Sequence, residues 1–421
     1  MRLLAAASIV ATGFVCVAAH AAKVCDVRTY GAKGDGVTKD TAAIQKAIDS
    51  CASNAAGGTV TLSGGTFVSG PILLKSNITL DVEKGAVLLG SPDRQDFPHT
   101  TFARNPTVQP LVRASHAENV TITGGGTIDG NGHIWWEYVR GVKDAGVLGN
   151  DHPRPMGIVL DHTNHVRIEN ITVQNSGFWQ IVPYYADDVV IRDVKIFAPP
   201  LAPNTDAIDP FSSSNVLIEH VTSDTGDDNV AIKSGAINSP GPDAPSKNII
   251  IRDCTFKRGH GISIGSEVAG GVQNVTAERI TFDGTDNGVR IKANRDRGAD
   301  VSGIVFKDLT MKNVKFAILV SEYYPKIFPE GAVAAAPITR LTPLFHDITI
   351  ENVKATGSKT AGVIVGLPEA PVKNITLRNV DIQAQTGLRI AYADVTFDHV
   401  TVSAAEGQGV TVAPNAKVTG K

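Results

Sequence analysis

Asn248-Ile249-Ile250-Ile251-Arg252-Asp253-Cys254-Thr255-Phe256 is one copy of a pattern that decides the fold. It opens on a turn-forming residue, alternates apolar positions as a short strand, inserts two polar residues at a bend, and resumes as a second strand. The same opening recurs at Asn77, Asn119, His165, Asp188, Asn215, Asn274, Gly303, Asp347, Asn374 and Asp394. Most neighbouring starts lie roughly 20 to 33 residues apart, the period of a solenoid. With period-2 apolar residues and no long helix in each unit, successive units stack strand on strand in parallel. The expected fold class is all-β, a single parallel β-helix spanning residues 22–421.

An Asn or Asp opening suits a sharp turn, because these residues tolerate left-handed backbone and bond their own main chain. Asn77, Asn119, Asn170, Asn274 and Asn374 also fall in Asn-x-Thr, which we read as a by-product of the repeat rather than as glycosylation signals. A stack of coils needs covers for its open ends. Ile44, Ala47, Ile48 and Cys51 form one apolar face of a short helix from about Asp40 to Cys51, with Asp40 or Thr41 as its N-cap. We expect it to cap the N-terminal end, and find no second convincing amphipathic helix. The turn Tyr30–Gly36 lacks the Gly-Lys-Ser/Thr ending of a phosphate loop.

Residues 1–21 combine Arg2, an apolar run from Leu3 to Ala19, and the small-x-small signal Ala19-His20-Ala21. They read as a secretory leader rather than a membrane anchor, so the mature chain is expected to be secreted or periplasmic. Of the 39 Lys and Arg residues Arg2 leaves with it, giving 38 against 42 acidic residues, a net charge of −4. That slight acidity argues against nucleic acid, which calls for a basic footprint. Cys25 and Cys51 flank the first mature segment and can close it with a disulfide in an oxidising compartment, leaving Cys254 as a buried thiol. No Cys/His spacing resembles a zinc site, and no metal or cofactor is called for. Insertions at about Asn131 to Pro155 and Ser321 to Pro343 interrupt the period. Trp135, Trp136 and Tyr138 in the first serve to pack the loop or, less simply, to stack on sugar rings.

The chemistry concentrates in Asn204-Thr205-Asp206, Gly226-Asp227-Asp228, Gly259-His260-Gly261 and Arg290-Ile291-Lys292. Asp206, Asp228, His260 and Asn287 each stand two residues before the first inward apolar residue of a strand. Equal phase means neighbouring rungs, about 4.8 Å apart, so these residues should form a ladder with Asp227 beside it. Alternation sends Arg290 and Lys292 outward on the same face, with Lys233 in the same phase earlier. Two carboxylates about 5 Å apart repel by about 3 kcal/mol at an effective dielectric near 20, enough to hold one proton on the cluster near neutrality. A protonated acid beside an ionised base is what glycosidic cleavage requires, and outward cations suit an anionic polysaccharide. Any one of these residues alone is an ordinary turn Asp or surface His. Their shared register is what makes a site.

In order and spacing these four motifs resemble the polygalacturonases of glycoside hydrolase family 28. The resemblance extends from about Cys25 to the end of the chain. It implies a right-handed β-helix and hydrolysis of α-1,4-galacturonan with inversion. Carried over by motif, Asp227 is similar to the general acid, Asp206 and Asp228 to the pair that holds the attacking water, and His260 to the histidine supporting the acid's protonation. Arg290 and Lys292 would bind the galacturonate carboxylate, with Tyr324 and Asn204 as further substrate-binding residues; Tyr323 stands next to Tyr324 as its competitor. Gly265-Ser266-Glu267 also resembles a family signature, with Glu267 expected at a turn after a strand. The partner implied is pectic polysaccharide, taken up by a monomer without nucleic acid or membrane.

Other readings remain open at this level: a hydrolase of another pectic backbone such as rhamnogalacturonan, a calcium-dependent pectate lyase, or a non-catalytic β-helical carbohydrate-binding protein. Endo or exo action depends on whether loops close the groove.

Overall fold

Left-handed backbone at fixed intervals is what turns these strands into coils. In the computed structural model, which describes residues 22–144, 152–329, 331 and 333–420, Asn77, Asn119, Asn215, Asn248, Asn274 and Asn374 have φ between 50° and 60°. Each is a coil opening predicted above. A second ladder was not anticipated. Asn170, Asp193, His220, Asp253, Arg279, Asp308, Asn352 and Asn379 are also left-handed, so the two polar residues at each bend form a corner. All five Asn-x-Thr asparagines occupy one ladder or the other. Their side chains join neighbouring coils: Asn119 Nδ2 donates to Asn77 Oδ1 at 2.8 Å, and Asn248 Nδ2 to Asn215 Oδ1 at 3.1 Å.

Between the corners, parallel pairing keeps like residues in columns. Val166, Val189, Val216, Ile249, Val275, Ile304, Ile348 and Ile375 succeed one another in register. All are buried within one continuous apolar core that runs from Cys25 to Val395. β-Branched side chains suit such a pleated stack, and each fully buried one contributes about 1.5–3 kcal/mol. The result is a right-handed parallel β-helix. The expected leader, residues 1–21, lies outside the described residues, and no described helix is long and apolar enough to cross a membrane.

Helix α1 (Thr41–Ala52) buries Ile44, Ala47, Ile48 and Cys51 against the first coil, as expected of a cap. Its N-terminus differs from expectation. The Asp40 side chain does not cap the helix but accepts hydrogen bonds from the Lys33 and Gly34 amides at 2.7 and 2.9 Å, holding the glycine-rich turn, while Thr41 Oγ1 accepts from the Gly70 amide. Cys25 and Cys51 are disulfide-bonded with Cα atoms 6.1 Å apart. Cys254 is a buried thiol whose pKa burial pushes up to about 12.

A second helix, α2 (His133–Asp144), corrects the expectation of one helix only. The periodic signal was obscured because its two tryptophans face different clusters. Trp135 packs edge-on to Phe97 at 5.7 Å, whereas Trp136 lies against Ala198 and Ala202 and donates to the Ser176 carbonyl. Both rings are buried, so they pack the insertion and do not present faces to a sugar.

The third strand of each coil builds the surface that matters. Ile72–Leu74, Val112–Ser115, Ile158–Asp161 and Ile181–Tyr184 form one parallel sheet. Bridges from Ile181 through Ile208 to Val230 continue it into Val230–Ser234, Ile262–Val268, Asn287–Lys292 and Phe316–Ser321. Insertions before these strands, including α2, raise one wall beside this floor. Those after them, residues 235–245, 322–329 and 333–343, raise the other.

Replacing Cys25 and Cys51 together by Ser should lower stability by about 2–4 kcal/mol through a less constrained unfolded chain. The check is a lower urea midpoint with an unchanged circular-dichroism spectrum in the folded state.

Candidate active site

The bend between second and third strands carries the acids. Backbone bonds from the Gln180 amide to the Asp206 carbonyl, from Ala207 to Asp228 and from Asn229 to Gly261 put Asp206, Asp228 and His260 on successive rungs, as the shared phase predicted. Glycine is required on both sides of His260. At Gly261, with φ of +77°, a Cβ would stand 1.9 Å from the Asn287 carbonyl, and at Gly259, with φ of +120°, 2.6 Å from the Asp227 carbonyl. Only a bare backbone brings the His260 coil this close to its neighbours.

Asp228 is the hub. Its carboxylate lies 3.0 Å from Arg290 Nη1, 2.9 Å from Lys292 Nζ and 2.7 Å from Ser263 Oγ, at 1% exposure. Burial alone would raise its pKa, but Lys292, Arg290 and His260 hold it far below the usual carboxylate range. Arg290 and Lys292 do point out of the coil as expected, yet they are not solvated: Lys292 is buried, and both are anchored on Asp228. Tyr324 closes over Lys292, its ring 5.2 Å from Lys292 Nζ and 5.6 Å from the guanidinium of the neighbouring Arg297. Tyr323 points elsewhere, into the cluster around Leu319 and Val363.

His260 Nδ1 lies 2.9 Å from Asp227 Oδ1 and 3.7 Å from Asp228 Oδ1, and Nε2 lies 3.5 Å from Asp286 Oδ2. Burial disfavours the imidazolium, but Asp227 and Asp228 outweigh it against the smaller opposition of Arg290, and the His260 pKa is raised. Burial likewise pushes Asp227 up and the charge of Asp228 adds to it, but His260 and Lys292 together outweigh both, and the Asp227 pKa is lowered. The proton expected on the carboxylate cluster therefore falls on Asp206 rather than Asp227. Asp206, at 3% exposure, has its pKa raised well above normal by burial and by the charges of Asp227 and Asp209, with Lys233 3.9 Å away as the partial counterweight.

Three participants escaped the sequence reading. Asp209, fully buried with neither carboxylate oxygen hydrogen-bonded within the protein, shares a column with Ala231, Ser263 and Arg290. Its outward phase, one residue after inward Ile208, was available from the same alternation that identified Arg290. Gln180, beside Asp206, is buried with its side-chain oxygen unpartnered. Arg154 enters from the insertion, where no period assigns a phase. It is buried, donates to the Pro203 carbonyl at 2.7 Å and to Asn204 Oδ1 at 2.8 Å, and its pKa is pushed down to about 10 by burial. Asn204, expected to touch substrate, thus uses its oxygen to hold Arg154. Glu267 lies within the strand Ile262–Val268 rather than in a turn after it, 3.5 Å from both Lys233 and Arg297. Glu267, Asp209 and Asp206 keep Lys233 protonated against its burial.

Carboxylates on adjacent rungs, one bearing a proton and one ionised, beside a histidine and fixed cations, can protonate a leaving oxygen and activate water. The profile of the glycosyl hydrolases family 28 matches residues 51–405. The chain belongs to that family. An endo-polygalacturonase of Pectobacterium carotovorum subsp. carotovorum is 32% identical to this family 28 hydrolase over 377 residues, 85% of this chain and 87% of its own. An exo-poly-alpha-D-galacturonosidase of Dickeya chrysanthemi is 30% identical over 399 residues, 82% of this chain and 64% of its own. The crystal structure of a hyperthermoactive exopolygalacturonase from Thermotoga maritima superposes with a TM-score of 0.77 at 30% identity, covering 90% of this chain and 92% of that one.

The His260–Asp227 pair ties stability to pH. A raised histidine pKa gives stability that is complete below its unfolded value of 6.5 and lost as pH rises through the folded one. A lowered Asp227 pKa gives stability present above 3.8 and lost as pH falls. The stability difference between the wild type and His260→Gln should therefore be largest between those two values and shrink on either side, read from urea midpoints across the pH range.

Proposed function

We propose that this glycoside hydrolase is a polygalacturonase, cleaving α-1,4-galacturonosidic bonds of pectic polysaccharide with inversion. The observation that carries the reading is the gathering of Asp206, Asp227 and Asp228 on adjacent coils with His260, Arg290 and Lys292 against them. The polygalacturonase relatives support it.

In this reading Asp227 is the general acid. His260 holds the proton that Asp227 must deliver. A sugar chain laid over the floor strips the remaining solvent from Asp227, and desolvation favours the neutral carboxyl, which draws that proton across. Asp206 and Asp228 hold the attacking water between rungs about 4.8 Å apart. Asp228, fixed ionised by its two cations, orients the water. Asp206, whose raised pKa makes it the stronger base, takes the water's proton after releasing its own to solvent. Arg290, Lys292 and Tyr324 receive the galacturonate at the cleavage point, the cations pairing with its carboxylate. Asn204 acts through Arg154, which it orients.

A calcium-dependent lyase would use the same carboxylates as ligands. Atoms of Asp227, Asp228 and His260 do lie within 4.8 Å of one another. Asp228, however, already satisfies Arg290, Lys292 and Ser263, and two fixed cations oppose a divalent one. We further propose that residues 1–21 are removed on export and that the enzyme works outside the cytoplasm, which the Cys25–Cys51 bond supports.

Asp206→Asn, Asp227→Asn and Asp228→Asn should each lower turnover on unesterified polygalacturonate by at least about 10²-fold while the chain stays folded. The wild type should release reducing ends in excess EDTA with no ultraviolet absorbance from unsaturated products. Absorbance that appears only with calcium would overturn hydrolysis. N-terminal sequencing of the exported protein should start at Ala22.

A further inference from the structure

We propose that an anchored strap closes the cleft at one end, so that this enzyme attacks pectic chains from a terminus and releases mono- or disaccharide. The proposal rests on the polygalacturonase reading and adds its mode of attack. The strap is the antiparallel hairpin His99–Phe102 with Asn105–Val108, inserted before the third strand of its coil and so rising from the first wall. Its tip crosses the floor. Arg104 Nη1 donates to Ser239 Oγ at 2.5 Å and lies 3.1 Å from Asp243 Oδ1, both on the second wall. Arg340, from the later insertion on that wall, donates to the Ser239 carbonyl and lies 3.7 Å from Asp243 Oδ2. The Asp243 carboxylate, 1% exposed, is thus shared between two guanidinium groups.

The tip is also fastened downward. Phe102 packs on Tyr184, Phe211 and Trp179 with ring centroids 4.4, 5.8 and 5.9 Å apart. Phe211 belongs to the coil of Asp206, next to that of Asp228, and Trp179 and Tyr184 to the coil before it, so the blockage stands beside the acids. Under it lies a cavity of about 360 Å³ lined by Phe102, Arg154, Trp179, Phe211, Ile237 and Glu267. That is near the lower end for a pocket that encloses a small ligand. Its lining fits an acidic sugar: the rings of Phe102, Trp179 and Phe211 for the apolar body of the sugar, with Arg104 and Arg154 for the carboxylate. Glu267, which lines the cavity, lies 3.5 Å from Lys233, and Lys233 lies 3.9 Å from Asp206, so the cavity borders the acids.

In the other direction the cleft is open along the first wall. From the His260 coil onward the second and third strands are joined by short turns, residues 257–261, 284–286 and 313–315, while the floor runs on through Asn287–Lys292 and Phe316–Ser321. A polymer can enter from those later coils but cannot thread beneath a hairpin tied to both walls and the floor. Only its end reaches the cavity.

Wild-type enzyme acting on polygalacturonate should yield mono- or disaccharide alone from the earliest times, with viscosity falling slowly relative to reducing ends. Modifying the chain termini, by borohydride reduction at one end and an unsaturated residue at the other, should slow it many-fold. An early ladder of oligomers with rapid loss of viscosity, or indifference to blocked ends, would overturn the proposal. Phe102→Ala with Arg104→Ala should free the tip and raise the viscosity loss per bond cut several-fold; a folded variant that still makes only the small product would show that the strap is not the cause. If the wild type releases no reducing ends, the polygalacturonase reading fails instead. The cavity is then judged by digalacturonate alone: saturable tryptophan quenching that Trp179→Phe abolishes supports an enclosed sugar site, and no quenching overturns it.

Discussion

Parallel pairing that holds its register from coil to coil is the constraint on which everything else in this chain depends. A strand has period 2, so a slip of one residue at any coil would turn its apolar set outward and its polar set into the core. The aliphatic columns prevent that slip, and the left-handed corners fix where each strand begins. A side effect is that residues distant in sequence and equal in phase become neighbours on a rung. Asp206, Asp228 and His260 are brought together by no loop of their own; the stacking of Ile208, Val230 and Ile262 inside the coil places them.

That placement creates an electrostatic difficulty which the rest of the floor resolves. Asp206, Asp209, Asp227 and Asp228 crowd a buried surface where like charges repel strongly. Arg290 and Lys292 neutralise Asp228, Lys233 sits between Asp206 and Glu267, and His260 pairs with Asp227. The cations do not cover the acids evenly. Asp228 receives two of them and stays ionised, while Asp206 and Asp209 receive least and hold protons most readily. Unequal distribution of charge over chemically identical groups is how one cluster offers both an acid and a base.

This also explains what could be read from the sequence. The coil, its apolar columns and the ladder of acids follow from alternation and period, which a linear chain displays openly. Asp209 was equally legible, because its phase follows from Ile208, but an Asp one residue into a strand draws less notice than a paired Asp in a turn. The second left-handed ladder was partly hidden because His220 and Arg279 occupy places that Asn or Asp fills elsewhere. Arg154, the α2 helix and the contacts of Arg104 were not legible. They lie in insertions that have no period, and their partners are set by tertiary contacts across 49 residues in Arg154–Pro203 and 139 in Arg104–Asp243.

A solenoid separates two tasks that most folds combine. The repeat supplies rigid positions for the reacting groups, and each coil constrains its neighbours so tightly that even a Cβ at Gly261 has no room. The insertions touch the repeat only at its edges, so they can lengthen or cross the floor without disturbing the register beneath. Here the crossing hairpin adds no group to the acid ladder. It reaches across the floor to Ser239 and Asp243, and its Phe102 rests on rings that the floor already presents. The reacting groups and the crossing hairpin are therefore carried by different residues of one cleft, and either can vary without moving the other.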